Sequence, residues 1–441
     1  MLQNKRFLLA ILCVAAFGLN ACSSDKKAPL KGERIAVLEF QEDDAVEKDN
    51  SAEPLELAQT KENTAWPQLG GNAAHMPQSL SFSKTPLKKI WDTDIGQGSE
   101  KDRKLVTVPV SAKNMVFTAD TEGRVAAYSL DTGKRAWKTN VLPDDDTSAT
   151  VSPGLSFSND TLYVTDGIGS VMALESATGK KIWSQSVDQP VRGSPTYQAG
   201  RLYVITLNDE TLALDAMTGE TLWRHTGVQE TAGLLGAPSP AVEGSVVITA
   251  YSSGDIVALR SETGQEAWSD NLTGVAQTQS RAVTQLSGFR GSPVLDQNVA
   301  FVGNASTRLV AVHVPSGERL WQKEFGVMST PWISGNMVFA VTSDNQLVAL
   351  VKDSGQQRWS IGLPRFEDAK AKEDPIFWNG PILAGGRLMV VGSNEKLLEI
   401  DPDNGTILRK TGLPGDVMLP PIVVKKTLIV LTDNGTLAAY R

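Results

Sequence analysis

The sequence predicts an all-β fold, an eight-bladed β-propeller of four-stranded antiparallel blades, and three observations predict it. A short cassette recurs along the chain, as "DTGKRAW" (131–137), "ATGKKIW" (177–183), "MTGETLW" (217–223), "ETGQEAW" (262–268), "PSGERLW" (315–321) and "DSGQQRW" (353–359). The runs between cassettes are short, rich in Val, Ile, Leu and Tyr, and bounded by Gly, Asn, Asp or Pro, which is the strand signature. The last unit ends at "TLAAYR" without its fourth run, while "LKKIWDTDI" (87–95) is a tryptophan run with no unit before it. Joining the two closes the ring by pairing an N-terminal strand into the C-terminal blade, so no apolar face is left open.

Each unit has four elements. A proline-led segment comes first, as in "GSPTY" (193–197), "PSPAV" (238–242), "GSPVL" (291–295) and "STPWI" (329–333). Proline suits the start of a strand, where its missing donor does least harm to the ladder. The second element is a β-rich run such as "MVFTAD" (115–120) or "RLYVIT" (201–206). The third carries a small residue in its middle, as in "RVAAYSL" (124–130) and "ETLALDA" (210–216). The fourth is the cassette itself, a tight turn whose glycine takes positive φ without steric cost, followed by tryptophan. Repetition at one turn offset assigns Trp91, Trp137, Trp183, Trp223, Trp268, Trp321 and Trp359 to outermost strands, where they fill the gap to a neighbouring blade. Unit seven departs, because "DNGTILRK" (403–410) has Arg409 where tryptophan belongs, and a weaker blade junction is expected there.

Ahead of the repeats the composition changes. Residues 1–21 read as a signal peptide, with Lys5 and Arg6 before the apolar "FLLAILCVAAFGL" (7–19), a stretch too short to span a membrane. "LNAC" (19–22) resembles the lipobox of bacterial lipoproteins, which implies cleavage and lipidation at Cys22, and Ser23 after it implies the outer membrane. Residues 22–63 are expected to form an acidic flexible tether, since such a composition cannot bury enough apolar surface to fold alone. Within it, "ERIAVLEF" (33–40) could add as a strand to a neighbouring edge. The propeller is expected to occupy residues 64–441.

Composition also limits function. Of the 441 residues, the formal charge of -8 argues against a nucleic-acid partner, which needs a basic footprint. Cys13 and Cys22 both precede the repeats, so neither a disulfide framework nor a cysteine metal site is available to them. His75, His225 and His313 form no pair at metal-ligand spacing and read as structural. No P-loop, G-x-S-x-G elbow or H-E-x-x-H occurs, and no catalytic residue, metal or cofactor is expected.

Loop lengths are more informative. The long connections, residues 138–152, 224–237, 269–291 and 360–380, all join one blade to the next and share one face of the disc. A trimmed face opposite an elaborated one is expected where loops carry function on a rigid scaffold. Leu234, Leu235, Phe289 and Arg290 in those loops are of the types enriched at interface centres, and are the candidate partner-binding residues. The alternative is that they only pack loop against loop.

Repeats such as "RLYVITLNDETLALDAMTGETLW" (201–223) resemble the quinoprotein-dehydrogenase type of blade. Together with the lipobox, the acidic tether, "WPQLGGN" (66–72) and a single ring, the chain is similar to the BamB family, lipoproteins of the outer-membrane β-barrel assembly machine. That resemblance implies a non-enzymatic subunit facing the periplasm, which binds the periplasmic domains of BamA and helps deliver unfolded outer-membrane proteins. The family's partner-binding loops correspond to "GLLGAPS" (233–239) and "QLSGFRGSP" (285–293), which carries Leu234 and Leu235 over as apolar contacts. Gly288 and Arg290 stand where relatives have acidic residues, so a charge-paired contact there has been lost or has changed sign. Two alternatives remain: a dehydrogenase dependent on pyrroloquinoline quinone and calcium, and a lipoprotein adaptor of another envelope complex.

Overall fold

Turn residues cut the apolar runs into strands that assemble as eight four-stranded antiparallel sheets, one of which gains a fifth strand. The computed structural model describes residues 47–48, 54–76, 78–143, 151–191, 193–229, 238–274 and 288–441. The signal segment, Cys22 and the 33–40 run lie outside them. Blades 1 to 7 occupy residues 110–140, 154–186, 196–226, 241–271, 294–323, 332–362 and 378–412 in order. Blade 8 combines Ile422–Val424, Thr427–Leu431 and Thr436–Tyr440 with an outer strand from the other end of the repeats, Lys89–Asp94. That strand pairs Trp91 with Ala439 and Asp94 with Thr436, and Lys88 and Arg441 exchange backbone hydrogen bonds beside it. The ring therefore closes as the sequence predicts.

Neighbouring blades are joined by the repeated cassette. Each indole Nε1–H donates to a carbonyl of the next blade, Trp91 to Leu130 at 2.9 Å, Trp223 to Ser261 at 3.0 Å and Trp359 to Pro402 at 3.0 Å. Each ring also lies on the turn glycine of that next blade. A Cβ on Gly133 would stand 2.6 Å from the Trp91 ring, and one on Gly264 2.5 Å from that of Trp223. These glycines hold φ of +69° and +70°. The glycine thus serves twice, for the left-handed turn and for the close approach of the indole. Opposite every one of these tryptophans, on the third strand, stands alanine: Ala439, Ala127, Ala173, Ala213, Ala258, Ala311 and Ala349. The small residue of the third element leaves room for the ring. The residue before the tryptophan is an extra one in the ladder, a β-bulge, as at Ile182 and Leu222. Bulges bend outer edges and discourage edge-to-edge pairing.

Blade 7 replaces this device with charge. Its alanine–tryptophan pair becomes Glu399 opposite Arg409. Glu399, fully buried, receives Arg409 Nη1 at 3.0 Å and Arg387 Nη1 at 2.7 Å. Both arginines also reach the chain just ahead of the closing strand. Arg387 donates to the carbonyls of Ser83 and Lys84, and Arg409 to that of Thr85 at 3.3 Å. The next blade has no cassette turn at this place, because its outer strand comes from the other end of the repeats. With no glycine to receive an indole, an ion-paired cluster holds the entering segment instead.

The segment before that strand makes a circuit of the ring. Lys425 of blade 8 donates its N–H to Asn63, Trp66 exchanges hydrogen bonds with Ser111 of blade 1, and Phe157 of blade 2 donates to Pro67. Gln68 accepts from Tyr197 of blade 3, Ala73 from Val242 of blade 4, and Ala74 from Leu295 of blade 5. Gln78 accepts from Trp332 of blade 6, Leu80 donates to Leu383 of blade 7, and Lys61 meets Ser79 and Ser81 where the circuit overlaps itself. These contacts fall on first strands and on first-to-second turns, opposite the long connections. The division expected at residue 64 therefore falls inside a docked stretch: from Pro54 the chain already lies on blade 6, where Glu56 and Asn336 exchange hydrogen bonds. Apolar Leu55 and Leu57, which pack on the core, explain why this end of the acidic stretch is held.

His75, within the circuit, is 2% exposed, and its Nδ1 lies 2.8 Å from the Pro293 carbonyl, so Nδ1 carries the proton. Its Nε2 is buried without a partner. Burial, opposed in part by that hydrogen bond, lowers its pKa to about 4. An unfolded histidine titrates near 6.5, so below that pH the unfolded chain takes up a proton that the folded one refuses until about pH 4. Stability contributed by neutral His75 is complete above pH 6.5 and declines toward pH 4, by about 3 kcal/mol in all. Urea unfolding at pH 7 and pH 4.5 should show this loss, and His75→Gln should flatten most of it. An unchanged pH slope in the variant would contradict the assignment.

Candidate functional interface

Ahead of the first strands of blades 1 to 6, Ser or Thr stands beside or near proline, and these hydroxyls tie blade to blade. Thr107 Oγ1 donates to the Pro153 carbonyl at 2.6 Å, and Ser239 Oγ to that of Ser194 at 2.7 Å. Ser292 Oγ accepts from Ser239 N–H at 2.9 Å, and Thr330 Oγ1 from Ser292 N–H at 3.0 Å. Ser329 Oγ donates to Gly380. The sequence reading explained the prolines and missed the hydroxyls, although "VSP" (151–153), "GSP", "PSP" and "STP" display them. Where proline removes a donor, the adjacent side chain supplies one. This belt gives the long connections a fixed base.

On the elaborated face, described parts of the connections are pinned to neighbouring turns. Gln229 Nε2 donates to Asn208 Oδ1 at 3.2 Å, joining the third connection to the second-to-third turn of blade 3. Exposed Leu207 and Val228 flank that junction. The connection from blade 6 to blade 7 folds as a hairpin, Phe366–Asp368 with Glu373–Pro375, held where Arg365 donates to the Asp344 carbonyl and Trp378 Nε1 to that of Pro364. Phe377 beside it is exposed.

The four predicted contact residues separate. Leu234 and Leu235 lie outside the described residues. Phe289, expected as a partner contact, is 3% exposed and packs with Leu272, Leu295, Val302 and Val310 in the core shared by blades 4 and 5. Its ring is turned into that core and anchors the loop. Arg290, next to it, is exposed. Gly291 presses the loop onto blade 6, since a Cβ there would stand 2.5 Å from the Ser329 carbonyl. Among the described residues Arg290 has no hydrogen bond or ion pair, and burial alone pushes its guanidinium pKa below the usual value. Exposed Leu207, Val228 and Arg290 are of the kinds that can meet a protein surface. His225 bonds Tyr251 and His313 bonds Ser316 as structural groups. Among the described residues no three His, Cys, Asp or Glu gather to hold a metal.

The comparisons bear on which surface this is. Residues 121–361 match the family model described as outer membrane protein assembly factor BamB. A protein of that name from Yersinia pestis is 26% identical over 367 residues, covering 81% of this chain and 89% of its own length. The crystal structure of BamB from Moraxella catarrhalis superposes with a TM-score of 0.68 at 17% identity, over 81% of this chain and all of that one. Quinohemoprotein alcohol dehydrogenase from Comamonas testosteroni gives 0.65 at 14% identity, over 85% of this chain and 80% of that one, a likeness of fold. No helix among the described residues is long and apolar enough to cross a membrane. The cassette, the ring closed by its own N-terminal strand and the match over more than half of the residues lead to one conclusion: the chain belongs to the BamB family of outer membrane protein assembly factors.

Proposed function

We propose that this chain is a non-enzymatic scaffold subunit of the outer-membrane β-barrel assembly machinery. In this reading the lipidated Cys22 anchors it at the outer membrane, facing the periplasm, and its elaborated face binds the periplasmic domains of BamA. The family match carries the reading. The architecture supports it, with one hub end occupied by the chain's own circuit and the other bearing pinned loops on a hydroxyl-tied base. Leu234 and Leu235 are the apolar contacts, and Arg290 meets an acidic group of the partner. Phe289 acts indirectly, by fixing the loop that carries Arg290. Nothing among the described residues favours the quinone-dependent alternative.

Leu234→Glu combined with Leu235→Glu should reduce recovery of BamA in a pull-down at least tenfold, with an unchanged melting temperature. Undiminished recovery would reject those contacts, and capture of a different envelope complex in place of BamA would reject the partner. Phe289→Ala should instead cost about 3–5 kcal/mol of stability, read by urea unfolding. A variant as stable as the parent would mean that the loop needs no anchor.

A further inference from the structure

The outer strands of the eight blades repeat one geometry, so their side chains can be compared place by place. The two residues before the bulge are Lys88 and Lys89 in blade 8, Lys134 and Arg135 in blade 1, and Lys180 and Lys181 in blade 2. The same places hold Glu220 and Thr221 in blade 3, Gln265 and Glu266 in blade 4, Glu318 and Arg319 in blade 5, Gln356 and Gln357 in blade 6, and Thr406 and Ile407 in blade 7. Five blades thus build this strand without a basic pair, so the fold does not require one. The three pairs lie on consecutive blades of the closed ring, and all six side chains are exposed. Of the six, only Lys89 has an ion pair among the described residues, with Asp92 at 2.7 Å on its own strand. The one cation at these places elsewhere, Arg319, is turned to Asp270 of blade 4. Each basic pair is followed at the bulge by an exposed apolar residue, Ile90, Ala136 or Ile182, the isoleucines being 40% and 56% exposed.

We propose that the turn end of the rim of blades 8, 1 and 2 is a docking surface for the anionic headgroups of a phospholipid membrane. Charge complementarity is the first ground, since a chain of formal charge -8 gathers three basic pairs on one sector. Five of the six cations are lysines, flexible point charges that suit a diffuse layer of phosphates. Recognition of a single shaped acidic partner favours the planar fork of arginine instead. Aliphatic side chains interleaved with basic ones are the composition of an interfacial surface. The second ground is where the described chain begins. In an antiparallel four-stranded blade the first-to-second and third-to-fourth turns share one end, and in blade 1 Leu130 N–H donates across that end to Asn114. Glu56 N–H donates to Asn336 Oδ1 in the first-to-second turn of blade 6, at the same end of the disc as the basic pairs. The proposal rests on the reading above that Cys22 is lipidated, which adds a tether of about thirty residues ahead of Pro54, spanning about 30 Å r.m.s.. With the turn end on the headgroups, the elaborated face points away from the membrane, where a periplasmic partner is met.

The test uses the full chain with Cys13→Ser and Cys22→Ser, so that no lipid on the protein contributes. A nitrobenzoxadiazole dye is placed at Ala136→Cys in blade 1 or at Ala267→Cys in blade 4, two exposed bulge positions at the same place in the repeat. With vesicles of phosphatidylglycerol and phosphatidylcholine that carry a headgroup-spin-labelled lipid, quenching at Ala136→Cys should exceed that at Ala267→Cys by about threefold or more. Vesicles of phosphatidylcholine alone, or high salt, should each remove the difference. So should Lys134→Glu with Lys180→Glu and Lys181→Glu, at an unchanged melting temperature. Equal quenching at the two positions, or a difference that survives in phosphatidylcholine alone, would overturn the proposal. An unquenched dye at Ala136→Cys would overturn it too, and a response to soluble polyglutamate in its place would mark an acidic polypeptide as the occupant. The assay contains neither BamA nor a lipidated cysteine, so its failure leaves the BamA pull-down to be judged separately.

Discussion

The contact between an indole and the turn glycine of the following blade is the constraint on which the rest of the molecule depends. A propeller blade has no core of its own and must bury both faces against neighbours. The cassette solves this by presenting a flat aromatic surface to a backbone stripped of its Cβ, and by donating the indole N–H to a carbonyl of the next blade. Alanine opposite the tryptophan and a bulge before it are the accommodations that this contact requires. Because turn and ring belong to adjacent blades, each cassette is meaningful only as one of a series, and the series must close.

Closure accounts for the departures from the repeat. At the junction of blades 7 and 8 no cassette turn exists, and Arg387 and Arg409, both paired with Glu399, take over by donating to the carbonyls of residues 83–85. Leading into that point, residues 63–80 contact each blade in turn on the side away from the long loops. One face is thereby committed to holding the ring together and the other is left to the connections.

The periodic part of this design was legible in the sequence because each strand and cassette answers to local rules: strand runs, glycine at positive φ, tryptophan at a fixed offset. The circuit was not, because "WPQLGGNAAHMP" (66–77) has no period and its course is set by carbonyls and amides far along the chain. Arg409 was legible as an exception, but its meaning needed Glu399 and Arg387, which only the cross-strand register brings together. The candidate interface was legible as a face and less so as residues. Loop length separates the two faces, whereas the chemical type of Phe289 fits a core as well as an interface, and burial assigns it to the core.

Two alanine substitutions in blade 4 test the central claim most directly. Gly244 and Gly264 both hold positive φ, +57° and +70°, yet a Cβ at Gly244 meets nothing within 4 Å, whereas one at Gly264 strikes the Trp223 ring at 2.5 Å. Each substitution carries the left-handed backbone cost of about 1–2 kcal/mol. By chemical denaturation, Gly264→Ala should lose at least about 2 kcal/mol more than Gly244→Ala, in the range of an overpacked core. Equal losses at the two positions would mean that the glycines serve their turns alone and that the indoles do not bind the blades through them.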